Sequence, residues 1–241
     1  MYVVIWMRSV ADKMAKLPEL VDLNGQKQFR IIPSHFPPIN FFENIVDPSE
    51  MEMLFEIESL TNDRLRQEAG DIFLVSPKDW VSGVGSSIVM AAFTHIHKPS
   101  RFSDGSYGVY YASLAPETAI RETVYHRENF FRATAEEAAE ITMRVYEGKI
   151  KKPLHDITGT SFANLHHPKN YALSQTFGEQ LKKAESWGVF YHSVRHEGGF
   201  CVGALRPPAI STPVPVSHLK YLWNGEKITE VLEMKPISTF F

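Results

Sequence analysis

Residues 189–205 read VFYHSVRHEGGFCVGAL and contain two apolar runs separated by a short polar segment. The runs at 189–194 and 200–205 are rich in valine and aromatic residues, which favour β-strands. The connection at 196–199 ends in two glycines and is too short for the crossover that parallel strands require. This stretch therefore predicts two neighbouring antiparallel strands.

A second hairpin is expected near the C-terminus. Asn224-Gly225 lies between strand-like runs at 219–223 and 227–232, and both turn residues tolerate positive φ, so the hairpin spans 219–232. Other periodic segments predict strands at 29–32, 72–75, 108–112, 141–146 and 154–157, and helices at about 47–70, 88–93, 114–130 and 171–184. Because several links are hairpin-short, we expect an α+β fold with a mixed, largely antiparallel split sheet.

The composition indicates one soluble globular domain. Of the 241 residues, 44% are hydrophobic and 22% are charged, and the net charge of −3 excludes a general basic field for nucleic acid. Cys201 is the single cysteine, so no intrachain disulfide forms and a reducing compartment fits best. No apolar run is long enough for a membrane span or a signal peptide. We expect a cytoplasmic protein without nucleic-acid or membrane partners.

The chain shows no internal repeat and no linker-like composition. Residues 1–28 have little periodic pattern and carry the turn-forming residues Asp22, Asn24 and Gly25. They are expected to form an N-terminal arm, followed by a single domain at 29–241.

Glu122 is a candidate for chemistry because of its helix face. Residues three and four apart share a face, so Thr118, Ala119 and His126 surround Glu122 with a small and polar stripe. Such a face suits the wall of a cleft. From the helix alone, an ordinary surface glutamate remains the better explanation.

Arg101 and Tyr111 are candidates for ligand binding. Arg101 opens the loop 101–105, and a guanidinium can grip a phosphate with two parallel hydrogen bonds. Tyr111 ends the strand before the Glu122 helix, where its ring can stack on a flat ligand; Tyr110 competes for this role. A surface arginine and a core tyrosine are the ordinary alternatives.

Ser193 lies at a strand end, without the small flanking residues of a nucleophile elbow, so a hydrogen-bonding serine is favoured over a nucleophile. Cys201 fits a small buried residue of a strand better than a reactive thiol. The ten histidines have no zinc-ligand spacing, and we expect no metal site.

Taken together, four segments resemble the RES-domain family, named for its arginine, glutamate and serine. The segments are Phe29-Arg30, 101–105, 110–113 with 119–122, and 191–195. Each is short, but their order and spacing along residues 29–208 are fairly specific. This chain departs from the shorter toxins of the family by a longer N-terminal part, an insertion-like stretch at 43–99 and the C-terminal hairpin.

The resemblance implies a fold similar to ADP-ribosyltransferases and a toxin that degrades NAD, with a helix-turn-helix antitoxin as partner and no prosthetic group. NAD is then the substrate, cleaved at the nicotinamide–ribose bond as a phosphorylase or a glycohydrolase. The implied catalytic residues are Arg101, Tyr111, Glu122 and Ser193. The implied ligand-binding residues are Arg30, Arg101, Tyr111, Ser193 and Arg195.

The implied roles agree with the chemistry of the bond. Its cleavage builds positive charge on the ribose, which Glu122 would stabilise. Arg30 and Arg101 would hold the pyrophosphate, Tyr111 would stack on nicotinamide, and Ser193 would bind the ribose or the amide. Two alternatives stay open: transfer of ADP-ribose to a macromolecule, and a non-catalytic nucleotide-binding or interaction module. Whether the chain forms a homodimer is open too.

Overall fold

The computed structural model describes residues 17–34, 70–96, 98–235 and 237. The helix expected at about 47–70 lies outside the described residues, except for Gly70 at its end, and so does much of the stretch at 43–99.

The described strands form one nine-stranded sheet in the order β1-β5-β6-β7-β3-β2-β4-β8-β9. The strands are β1 (Leu20–Val21), β2 (Lys27–Pro33), β3 (Tyr110–Ser113), β4 (Ala139–Lys149), β5 (Leu154–Asp156), β6 (Gly188–His192), β7 (Phe200–Ala204), β8 (Val214–Trp223) and β9 (Ile228–Met234). All neighbours are antiparallel except β5 and β6, which are joined through a helical connection. The predicted mixed, largely antiparallel sheet is confirmed.

Three α-helices fall within the described part of the chain: α1 (Ser86–Thr94), α2 (Pro116–Thr134) and α3 (Ala172–Lys183). Short 3-10 helices cover Ile72–Leu74, Pro77–Asp79, Thr160–His166 and Pro207–Ala209. Together with the sheet they make an α+β fold.

The helices cover both faces of the sheet. On one face, α1 packs its buried residues Val89, Met90 and Phe93 against Tyr110 and Val202. On the other face, α2 packs over β2, β4 and β8 through Ala119, while α3 packs over β6 and β7 through Leu181. The helix α2 therefore lies over the middle of the sheet, next to β3.

The strand pairing between β2 and β3 is the shortest in the described sheet, since it consists of the single residue pair Phe29↔Ser113. Beyond that pair, β2 runs on with β4 from Arg30 to Pro33, while β3 runs with β7. The two halves of the sheet diverge here, and the divergence leaves room for a cleft beneath α2.

Two local predictions are wrong. Residues 72–75 were expected as a buried strand, but Ile72–Leu74 is a 3-10 helix because the Asp71 side chain accepts the N–H of Phe73. Ile72 and Val75 are buried while Phe73 and Leu74 are exposed, so the run buries two side chains three residues apart instead of alternating like a strand. The helix expected at about 114–130 begins later, at Pro116, because Ser113 still belongs to β3, where its hydroxyl contacts Cys201 Sγ, and Ala115 precedes the first helical residue.

Residues 17–28 belong to the sheet. β1 pairs with β5, and the first two residues of β2 pair with β4. Leu17 and Leu23 pack against the core. Within its described part, the expected arm at 1–28 therefore contributes residues 20–21 and 27–28 to the sheet. The sequence did not indicate this, because the isolated leucines lack the alternation that signals a strand. At the other end, β8 and β9 form an antiparallel hairpin, and β8 begins at Val214 rather than at 219.

Candidate active-site cleft

Glu122 and Ser193 meet although 71 positions separate them in the chain. The Ser193 hydroxyl donates a hydrogen bond of 2.6 Å to Glu122 Oε1. Ser193 follows β6 and is buried, whereas Glu122 lies on α2 and is half-buried. The fold thus places one carboxylate and one hydroxyl together where α2 crosses the sheet.

The direction of the Ser193 hydroxyl is set by the turn after β6. Its oxygen accepts the backbone N–H groups of Arg195 at 3.1 Å and His196 at 3.0 Å. With both lone-pair directions occupied, the hydroxyl proton points to Glu122. This arrangement holds one carboxylate oxygen in place and leaves Oε2 for a ligand.

Cys201 lies beside the same carboxylate. Its sulfur is 3.9 Å from Glu122 Oε1 and 3.4 Å from the Ser113 hydroxyl. Burial, and then the nearby Glu122 charge, raises the pKa of the Cys201 thiol to about 12. The thiol is therefore neutral at physiological pH, as expected for a packed residue rather than a nucleophile.

Tyr111 fastens the loop that carries Arg101. Its hydroxyl is 2.9 Å from the Ser100 hydroxyl and accepts the N–H of Phe102 at 2.9 Å. Burial raises the pKa of Tyr111 to about 12, so this hydroxyl stays protonated. Its ring forms part of the cleft wall, as a stacking surface requires.

Arg101 is buried and anchored by main-chain groups. Its Nη1 donates to the carbonyls of Leu165 at 3.3 Å and His167 at 3.1 Å, and its guanidinium stacks on Tyr171 at 4.6 Å. The remaining donors, Nε and Nη2, form no hydrogen bond with other described residues. Arg101 thus ties the loop to the segment before α3 and keeps two nitrogens for a ligand.

Arg30 occupies the gap between the two halves of the sheet. Its Nη1 donates to the Tyr111 carbonyl at 3.0 Å, and its guanidinium lies 4.5 Å from the centre of the Tyr110 ring. Within the described residues, its Nε has no partner. Burial lowers the pKa of Arg30, partly offset by Tyr110. Tyr110 itself is fully buried, and its ring supports the Arg30 guanidinium.

Arg30, Arg101, Tyr111, Glu122 and Cys201 line one cleft of about 600 Å³, a volume within the range of small-molecule sites. The arginine, lysine, histidine and glutamate residues that line it are Arg30, Arg101, Glu122, His126, Arg127 and Lys169. Its aromatic residues are Phe29, Tyr111, Tyr125, Tyr171 and Tyr191. Among the lining residues that the structure describes, Glu122 is the single carboxylate. Three arginines and one lysine line the same cleft.

Arg195 and Ser193 stand outside this lining set. The Arg195 guanidinium lies 3.4 Å from the centre of the Tyr125 ring and donates to the Pro168 carbonyl and the Tyr171 hydroxyl. Arg195 therefore holds two aromatic walls of the cleft from behind. Ser193 does not line the cleft itself, but its hydroxyl is hydrogen-bonded to Glu122, which does.

Several lining residues were not predicted as site residues: His126, Arg127, Lys169, Tyr125 and Tyr171. His126 and Arg127 lie four residues after Glu122 and Thr123, respectively, which places them on the same side of α2. This four-residue spacing on α2 is the sequence feature that could have identified His126 and Arg127 as site residues. Lys169 and Tyr171 come from a loop far along the chain, and no local pattern connects them to Glu122.

The described residues contain no group of three or more histidine, cysteine, aspartate or glutamate side chains that could hold a metal ion. Nor does any described helix combine the length and apolar character of a membrane span.

Comparison with known proteins places the chain in a family. The uncharacterized protein y4oC of Sinorhizobium fredii is 27% identical over 204 residues, which cover 83% of this chain and 84% of the relative. The crystal structure of the M. tuberculosis MbcT–MbcA toxin–antitoxin complex aligns over 83% of this chain and 86% of its own, with a TM-score of 0.36 and 8% identity. Residues 77–224 match the family described as RES domain, a match that covers more than half of the chain. Three of the four sequence segments lie within this match, whereas Phe29-Arg30 lies before it. The predicted resemblance is confirmed, and the chain belongs to the RES-domain family.

Proposed function

We propose that this protein cleaves the nicotinamide–ribose bond of NAD and transfers the ADP-ribosyl group to phosphate or water. The observation that carries the proposal is the Glu122 carboxylate, oriented by Ser193 in a cleft that also holds four cationic and five aromatic side chains. A dinucleotide combines flat rings, a pyrophosphate and a ribose that becomes cationic as the bond breaks. Each of these groups has a matching partner in the cleft.

The bond between ribose C1′ and the nicotinamide nitrogen breaks, and its electron pair leaves with the ring. Nicotinamide departs as a neutral molecule, so no general acid is needed. Positive charge develops on the ribose, and the Glu122 carboxylate stabilises it in a cleft partly shielded from water. An oxygen of phosphate or water then bonds to C1′, and a proton is released when water is the acceptor.

The other residues have binding roles in this proposal. Arg101 offers Nε and Nη2 to the pyrophosphate, and Arg30 adds positive charge at the gap in the sheet. The Tyr111 ring stacks on nicotinamide. Ser193 acts chiefly by holding Glu122, while Arg195 holds Tyr125 and Tyr171 in place.

The biological role that we propose is that of a toxin controlled by an antitoxin protein. Membership of the RES-domain family supports it. Growth arrest on expression, relieved by co-expression of a small helix-turn-helix protein encoded by the neighbouring gene, is the expected result. Normal growth during expression of an active enzyme would contradict the toxin role without affecting the chemistry.

The test of the chemistry is incubation of the purified chain with NAD, with and without phosphate, and separation of the products. Nicotinamide release from NAD is expected either in both incubations or only in the one that contains phosphate. ADP-ribose phosphate identifies a phosphorylase, free ADP-ribose a glycohydrolase, and ADP-ribosylated protein a transferase. If no nicotinamide is released under any condition, the proposal is wrong and the cleft serves binding alone.

A further inference from the structure

The three arginines of α2 differ in how their charge is balanced. Arg121 pairs with Glu117 at 3.0 Å, and Arg132 pairs with Glu128 at 2.8 Å, both across one helical turn. Arg127 forms no ion pair and no hydrogen bond with any described residue; its guanidinium carbon lies 5.8 Å from the centre of the Phe130 ring, and Tyr221 partly offsets the lowering of its pKa by burial. One arginine of the helix therefore carries an unbalanced charge.

Arg127 is also the α2 arginine that lines the cleft. It is half-buried, and loss of water lowers its pKa. An arginine nonetheless stays protonated in a protein. A partly buried charge without a counter-charge destabilises the folded chain unless a ligand supplies one. The position therefore fits a binding group better than a structural one.

The neighbouring arginines of the cleft are partly engaged by the protein itself, although Arg101 keeps Nε and Nη2 for a ligand. Arg30 and Arg101 donate to main-chain carbonyls and stack on tyrosine rings. Lys169 is exposed, and its charge is largely hydrated. Arg127 thus offers a full guanidinium fork to the cleft, and that geometry matches two oxygens of a phosphate group.

We propose that Arg127 is a substrate-binding residue that holds a phosphate group in the cleft. This inference rests on the proposed function. The phosphate belongs either to the pyrophosphate of the dinucleotide or to inorganic phosphate as the acceptor. The two sources share the same chemistry, and binding measurements separate them.

The experiment compares Arg127→Gln with Arg121→Gln, a matched arginine on the same helix whose charge is already paired outside the cleft. Binding of inorganic phosphate, inorganic pyrophosphate and ADP-ribose is measured by titration calorimetry on the full chain. Arg127→Gln is expected to weaken one of these ligands about tenfold or more, and Arg127→Lys to restore part of the loss. Arg121→Gln should bind all three like the wild type.

The pattern of loss identifies the source. Weakened pyrophosphate and ADP-ribose with normal phosphate assigns Arg127 to the dinucleotide, and the reverse assigns it to the acceptor. Wild-type affinity of Arg127→Gln for all three ligands, with thermal unfolding equal to that of Arg121→Gln, would overturn the inference. A wild-type chain that binds phosphate through Arg127 but releases no nicotinamide would refute the proposed function alone.

Discussion

The Ser193 hydroxyl illustrates how single residues build this site. It accepts two backbone N–H groups from its own turn and donates its proton to Glu122 at 2.6 Å. A serine in this state is a poor nucleophile, because two backbone N–H groups already occupy the lone pairs of its oxygen. Its contribution is to fix the carboxylate, and an alanine would leave Glu122 free to rotate.

Cys201 provides a pH-dependent prediction at the same scale. Its pKa is raised to about 12 in the folded chain, whereas an unfolded thiol has a pKa of about 8.5. Protonation of the thiol therefore favours the folded state fully below about pH 8.5, and this advantage is lost as the pH rises toward 12. At pH 9, alkylation by iodoacetamide should be at least about tenfold slower in the folded chain than in urea.

The readout is direct because Cys201 is the single cysteine of the chain. Mass spectrometry of the alkylated fraction over time, at several pH values, gives both rates. Equal rates for the folded and unfolded chains would show that Cys201 is exposed and ionised, contrary to its packing against Glu122 and Ser113.

At the level of elements, α3 determines where the Arg101 loop lies. Gln175 donates to the carbonyls of Ser100 at 2.9 Å and Ser103 at 3.2 Å. One turn later, Gly178 lies so close to Phe102 that an added Cβ would be 2.1 Å from the Phe102 carbonyl oxygen. The helix and the loop therefore pack backbone against backbone.

Gly178→Ala is expected to lower the free energy of unfolding by about 1–3 kcal/mol, because the loop backbone must move away. The same movement displaces Arg101, so the KM for NAD should rise. Urea unfolding and initial-rate kinetics measure the two effects. Thr176→Ala, an exposed position on the same helix, is the control and should change stability by less than about 0.5 kcal/mol. Equal stability of the two variants would contradict this packing.

Elements with strong local patterns were predictable from the sequence. The strand pair around 189–205 and the helix that carries Glu122 follow from valine and aromatic runs, from glycines and from a first-turn proline. The 3-10 helix at Ile72–Leu74 was not predictable, since a run of four apolar residues is equally compatible with a buried strand and with a helical turn. The pairing of Glu122 with Ser193 is set by the whole fold and has no local signal.

At the scale of the molecule, the sheet and the charges act together. The divergence of β2 and β3 after Phe29↔Ser113 opens the cleft, and α2 spans it. The chain as a whole carries a net charge of −3, whereas the cleft gathers Arg30, Arg101, Arg127 and Lys169 around one carboxylate. This local reversal of charge attracts a small anionic ligand without a general affinity for nucleic acid.

The central claim is that Glu122 drives cleavage of the nicotinamide bond. The most direct measurement is the rate of nicotinamide release from NAD by the wild type, by Glu122→Ala and by Glu117→Ala, with folding checked by thermal unfolding. Glu117 is an exposed glutamate on the same helix and serves as the matched control. We predict that Glu122→Ala lowers the rate about 100-fold or more, while Glu117→Ala stays close to the wild type. Full activity of a correctly folded Glu122→Ala variant would contradict the account.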